Sequence, residues 1–158
     1  MTNILGEFEV TIDPKGRFML PAGLKKQLGE AEGSRFILNR GFDKCLTLYT
    51  EKQWEKVEAI VSKLNEFNEK ARKFKRLFLN GATRLETDAA GRILIPKKML
   101  EHAGIDKDVK DIIVHGQMDK IEIWKASTYE AKLNEDFGDF NSLGGEVLGN
   151  GFTNPLAG

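Results

Sequence analysis

The sequence has one cysteine, Cys45, so no internal disulfide can form, and its two histidines, His102 and His115, stand apart with no second ligand at metal spacing. No metal and no cofactor is expected on these grounds. No apolar run approaches the ~20 residues of a membrane span, so no membrane partner is expected. Met1 to Gly6 lack the charged start and apolar core of a secretory signal, and with the lone cysteine this points to the cytoplasm. An excess of one charge is missing as well: 24 Lys and Arg balance 24 Asp and Glu, which removes any global pull toward nucleic acid. Enzyme signatures are equally scarce. No serine lies in a nucleophile elbow, no glycine-rich loop matches a phosphate cradle, Gly144-Gly145 is followed by no expected helix, and no carboxylate pair is marked out as acid and base. No catalytic residue is nominated.

What is present is a soluble composition, 41% hydrophobic and 30% charged over 158 residues, enough for one ordinary core. The neutral total conceals an asymmetry: residues 1–80 carry 15 basic against 11 acidic side chains, net +4, and the rest carry 9 against 13, net −4. A basic face is compatible with zero net charge.

The chain also repeats itself. Asp13-Pro14-Lys15-Gly16-Arg17-Phe18-Met19-Leu20-Pro21 aligns without a gap on Asp88-Ala89-Ala90-Gly91-Arg92-Ile93-Leu94-Ile95-Pro96, an offset of 75. The same offset pairs Leu28-Gly29 with Ala103-Gly104, Ile37-Leu38 with Ile112-Ile113, Gly41 with Gly116, and Leu46, Leu48 and Tyr49 with Ile121, Ile123 and Trp124. In the first copy Phe8, Val10 and Ile12 alternate with polar residues, the period of a half-buried strand. Asp13, Pro14 and Gly16 match the preferences of a type I turn, so Arg17 opens a returning strand. Pro21 then introduces a short helix over Ala22 to Leu28, closed by Gly29, before a second strand pair around Gly41. About four short strands per copy are too few for an independent core, so the two copies are expected to complete one barrel between them.

Thr50 with Gln53, and Ser127 with Glu130, have capping-box spacing and predict a helix after each copy. Val57, Ile60, Leu64, Phe67, Ala71, Phe74 and Phe78 form an apolar stripe that fits one long helix or two antiparallel ones breaking near Asn65 to Asn68. The expected organisation is a first repeat over 5–50, a helical linker over 51–80, a second repeat over 81–126, a helix over 127–135 and a flexible glycine-rich tail over 136–158.

The recurrent turn carries the chemistry. Asp13, Gly16, Asp88 and Gly91 are read as turn-forming; Arg17 and Arg92, placed twice by the repeat at a strand end, either pair with those aspartates or reach phosphates and guanine edges, and Lys15 adds a positive tip to the first copy only. Lys70, Arg72, Lys73, Lys75 and Arg76 crowd five cations into seven residues and are a possible secondary DNA contact, a solvated helix face being the alternative.

The doubled Asp-x-x-Gly-Arg turn followed by Pro, the helical linker and the Ile121-Glu122-Ile123-Trp124 ending together resemble the MraZ family of AbrB-like, swapped-hairpin proteins over roughly residues 4–135. The resemblance implies an α+β fold, mainly β with helical appendages: a pseudo-dimeric swapped-hairpin β-barrel made by two tandem AbrB-like repeats. It also implies a nucleoid-associated regulator of the division and cell-wall gene cluster. Such a protein binds double-stranded promoter DNA with short direct repeats through Asp13 to Arg17 and Asp88 to Arg92, as a ring-like homo-oligomer. The second copy departs from the family's Lys-Gly-Arg by carrying Ala90 before Gly91-Arg92. A non-DNA-binding structural oligomer, a small barrel enzyme and an RNA-binding barrel are the competing expectations.

Overall fold

The computed structural model describes residues 3–149. The chain divides into two units, Met1–Ala126 and Ser127–Gly158. The first unit contains strands β1 (Ile4–Thr11), β2 (Arg17–Met19), β3 (Arg35–Arg40), β4 (Leu46–Thr50), β5 (Thr83–Glu86), β6 (Arg92–Leu94), β7 (Asp111–Met118) and β8 (Ile121–Lys125). Its helices are α1 (Ala22–Leu28), α2 (Glu51–Ser62), α3 (Glu69–Asn80) and α4 (Lys97–His102).

Six strands form one sheet in the order β1-β7-β8-β4-β3-β5, and β2 pairs with β6 in a separate two-stranded ribbon. Exchanging the two copies turns that order into itself read backwards. The ribbon pairs Arg17 with Leu94, Phe18 with Ile93 and Met19 with Arg92, while β4 and β8 pair Leu46 with Ile123, Thr47 with Glu122 and Leu48 with Ile121. A pseudo-twofold axis therefore passes between Phe18 and Ile93 and between Thr47 and Glu122. Neither copy makes its own sheet: β1 lies on β7, and β3 on β5.

The alternation of each strand sorts side chains to two faces. Phe36, Leu38, Leu46, Leu48, Ile112, Val114, Ile121 and Ile123 face the main core, which Phe18 and Ile93 of the ribbon and Leu24 and Met99 of α1 and α4 complete. Ile37 and Tyr49 point the other way, onto Trp54, Val57 and Phe78 of α2 and α3. The ribbon and α3 thus lie on opposite sides of the sheet.

The repeats do not match at one constant offset. Phe36 and Leu38 correspond to Ile112 and Val114, which share their core face and their pairing with the following strand, so the equivalence of Ile37-Leu38 with Ile112-Ile113 is out by one residue. Adjacent aliphatic residues concealed the slip, since a gapless match of Ile and Leu scores well on either face. The second copy has one more residue before β7 and one fewer in its hairpin, where Met118 adopts φ 68°, a conformation uncommon outside glycine. The corrected register also aligns two buried polar residues, Asn39 and His115.

Two helices fill the linker. Thr50 and Gln53 form the expected capping box on α2, and the Asn68 side chain accepts a hydrogen bond from the Ala71 N–H to start α3. Helix α5 (Ala126–Asp136) begins one residue before Ser127, which lies inside the helix rather than capping it. The flexible tail expected from Asp136 onward is helical instead: a 3-10 turn (Phe137–Asp139) leads into α6 (Phe140–Leu148). Phe140, Leu143 and Val147 recur at helical spacing, a period the glycines between them obscured. Residues 150–158 of that tail lie outside the described residues.

Candidate nucleic-acid interface

Each copy of the turn is built by one carboxylate. Asp13 Oδ1 accepts from the backbone N–H of Lys15 at 3.0 Å and of Arg17 at 2.9 Å, and Oδ2 accepts from Arg17 Nε at 2.7 Å. Asp88 repeats the pattern with Ala90 at 2.9 Å, Arg92 N–H at 2.9 Å and Arg92 Nε at 2.8 Å. Backbone bonds from Gly16 to Asp13 and from Gly91 to Asp88, both 2.9 Å, close the turns, with φ at +88° and +84°. Only glycine adopts that geometry without strain. The backbone N–H of Arg17 is the main cause that holds the Asp13 carboxyl below the usual carboxylate range, and that of Arg92 does the same for Asp88.

Binding Nε fixes each guanidinium plane and leaves the two Nη groups at its outer end, the geometry for a bidentate contact. Both arginine side chains remain accessible, 30% exposed for Arg17 and 39% for Arg92. The ribbon supplies the rest of the surface. Phe18 and Ile93 are buried beneath it, whereas Met19 and Leu94 are 49% and 53% exposed beside the arginines. The outer face therefore reads Arg17 opposite Leu94 and Met19 opposite Arg92. A ribbon of this width fits the major groove, where arginines meet guanines and apolar side chains meet thymine methyls.

Met19 and Leu94 were not singled out by sequence, because Phe18-Met19-Leu20 and Ile93-Leu94-Ile95 are unbroken apolar triplets. Strict period-two counting from Phe18 was the signal that turns the middle residue outward. The short helices were expected, but not the lysines they bring beside the turns. Pro14 and Lys15 border a groove lined by Lys97 and Leu100 of α4, and Thr87 borders its counterpart lined by Lys25 and Lys26 of α1. Lysines thus flank both turns.

The basic run on α3 is placed elsewhere. It lies on a helix whose Phe78 packs with Ile37 and Trp54 on the side of the sheet turned away from the ribbon. Arg72 Nη1 donates to the Glu66 carbonyl at 2.8 Å and Lys75 pairs with the Glu66 carboxylate, whose pKa that pairing lowers. A nearby acid outside the seven-residue run was not counted in its charge. Lys70, Lys73 and Arg76 are exposed.

Other reactive groups are held in the fold. Burial, with Glu122 and Asp43 nearby, pushes the Cys45 thiol up to about 12, so it is not a nucleophile at neutral pH. His115 Nε2 lies 3.1 Å from Glu122 Oε1, which also accepts from Trp124 Nε1 at 3.0 Å. Burial raises the Glu122 pKa, but these contacts outweigh it and leave the carboxyl below its usual range. Among the described residues no group of three His, Cys, Asp or Glu is placed to hold a metal ion, and no helix is long and apolar enough to cross a membrane.

Comparison with known proteins agrees with the repeat. The family model described as "MraZ protein, putative antitoxin-like" matches twice, over residues 4–77 and 78–142. A protein from Cytophaga hutchinsonii named Transcriptional regulator MraZ is 39% identical over 143 residues, spanning 90% of this chain and 93% of that one. A relative of the same name from Flavobacterium psychrophilum is 40% identical over 151 residues, 95% of this chain and 94% of its own. Another, from a Thermoanaerobacter species, is 39% identical over 140 residues, 89% and 93% of the two chains. All three are named for regulation and not for catalysis, which favours a regulator over the small barrel enzyme. Two family matches in tandem and relatives of this identity and coverage establish that the chain belongs to the MraZ family.

Proposed function

We propose that this protein is a sequence-specific, DNA-binding transcriptional regulator of the division and cell-wall gene cluster. Its ribbon reads short direct repeats in double-stranded promoter DNA. One observation carries the reading: two near-identical Asp–Arg turns, Asp13 with Arg17 and Asp88 with Arg92, present oriented guanidiniums on one exposed ribbon. Lys15 adds a donor at the first turn. Ribbon and six-stranded sheet enclose one core as a pseudo-dimeric swapped-hairpin barrel, whose dyad centres the reading surface. The protein works on the nucleoid, in the cytoplasm.

A single ribbon touches few base pairs, so affinity is supplied by a homo-oligomeric ring that engages successive repeats. Exposed Ile60, Phe67 and Leu77 on and between α2 and α3 support such an interface. Light scattering then gives a mass several times 17.8 kDa; a monomer at micromolar concentration removes the ring from the proposal.

The test is footprinting of the purified protein on the DNA upstream of its own gene, with Arg17→Ala and Arg92→Ala measured alongside. Each variant loses ~1–3 kcal/mol of binding with unchanged melting. Variants that protect the same DNA with unchanged affinity refute base reading by the turns. Inserting about five base pairs between two repeats, half a helical turn, weakens binding if neighbouring subunits read them together.

A further inference from the structure

The internal dyad poses a difficulty for reading direct repeats. A ribbon with two equal halves presents the same face to DNA in either orientation, so a subunit that obeyed the axis in full would bind a site and its reverse equally well. Direct repeats of a unit that lacks inverted symmetry require a subunit that lies on DNA one way round. Whatever breaks the symmetry of the outward face must therefore set the polarity.

The differences on that face are few. The two aspartates and two arginines keep matching geometry, within 0.1 Å for both carboxylate bonds to the arginines. Beneath the face Phe18 and Ile93 are both buried and cannot be read. Pro14 and Lys15 at one tip correspond to Ala89 and Ala90 at the other, all four exposed, and Met19 corresponds to Leu94; of these pairs Lys15 with Ala90 is the one that differs in charge and in a hydrogen-bond donor. The turns also differ in support: a Cβ on Gly16 would meet Leu100 Cδ1 at 2.8 Å and the Ile95 carbonyl at 3.0 Å, whereas one on Gly91 would meet only Met19 Cε, at 3.6 Å. Lys15 is thus carried on the more tightly seated turn, and Met19 lies across the ribbon against the turn that has no lysine.

We infer that Lys15 is the polarity determinant of this regulator: it donates to a guanine edge in one half of each repeat, a contact that Ala90 cannot make in the other half. Leu94 in place of Met19 gives the second half a different apolar contact. This rests on the reading of the ribbon as the DNA surface. The chemistry is that of lysine at guanine O6 and N7, which discriminates against other bases by about tenfold or more.

Selection from a pool of random duplexes tests it with the full-length protein. The native chain enriches a motif with no inverted symmetry, its copies all facing the same way. Lys15→Ala loses preference for one base pair on one side, by about tenfold, and keeps the arginine-dependent positions. The double variant Ala90→Lys/Leu94→Met, changed only at exposed positions, gains the matching base pair on the other side and enriches an inverted-symmetric motif. A native motif that is already symmetric, a Lys15→Ala motif that stays as asymmetric as the native one, or a double variant that still reads one way overturns the inference. Failure of the underlying reading looks different: Arg17→Ala/Arg92→Ala then enriches the native motif, or the native chain enriches none.

Discussion

Replacing Arg17 with lysine separates two ways in which an arginine can hold DNA. In the folded protein Arg17 donates through Nε to Asp13 Oδ2 at 2.7 Å, and its planar fork leaves both Nη groups for a ligand. Lysine keeps the charge but offers one nitrogen, which can meet Asp13 or a base edge and cannot span O6 and N7 while held by the carboxylate. If Arg17 reads a guanine, Arg17→Lys loses most of what Arg17→Ala loses, ~1–3 kcal/mol or about 5–150-fold in Kd. If it merely neutralises a phosphate, lysine restores nearly all of it. Fluorescence anisotropy across a salt series reads both quantities. The expected result is a weakened Kd with a log–log salt slope close to that of the native chain, since the cation is retained, and a thermal melt that does not move. Native affinity in Arg17→Lys refutes the base-reading geometry.

Phe18→Ala removes the ring that fills the core at the dyad, at a cost of ~3–5 kcal/mol and a fall in Tm of roughly 6–20 °C, whereas exposed Met19→Ala leaves the calorimetric melt almost in place. Gly16→Ala destabilises more than Gly91→Ala in denaturant melts: both suffer the positive φ, but only Gly16 forces a new Cβ against Leu100 and the Ile95 carbonyl. Asp13, Asp88 and Glu122 have depressed folded pKa values, so their stabilisation is complete above the unfolded value of about 4 and is lost as pH falls through the folded ones. Tm measured from neutral to acid pH falls less steeply in Asp13→Asn/Asp88→Asn than in the native chain. Lys73→Gln/Arg76→Gln leaves the salt slope of DNA binding unchanged, because α3 lies behind the sheet; a slope smaller by about two units would place those cations on phosphate.

The candidate DNA-contacting turns were legible in the sequence to the extent that turn chemistry is local. Asp, Gly and Arg within five positions specify a turn and its ion pair without help from the rest of the chain, and their recurrence exposed the duplication. Facing was less legible. Hydropathy does not distinguish the outward methionine in Phe18-Met19-Leu20 from its buried neighbours; only the strand's alternation, once Phe18 is known to face the core, does so. The position of the basic run behind the sheet follows from Phe78 packing with Ile37 and Trp54, contacts between distant segments that charge counting does not see. The one-residue slip between β3 and β7 had the same origin, since aliphatic residues on both faces make adjacent registers equally hydrophobic.

The interleaved sheet has a consequence for synthesis. Strand β1 has one partner in the sheet, β7, and Phe8 pairs with Val114. A ribosome adding ~5–20 residues per second needs on the order of 5–20 s to supply that partner. During this interval β1 and the first ribbon strand are outside the tunnel with their apolar faces unmatched. The same strand of a second nascent polypeptide is an equally good hydrogen-bonding template, so crowded polysomes are where this fold is most exposed to mispairing. Completion depends on the last strands made, and a chain truncated before β7 leaves β1 without its partner and β4 without β8 on one side.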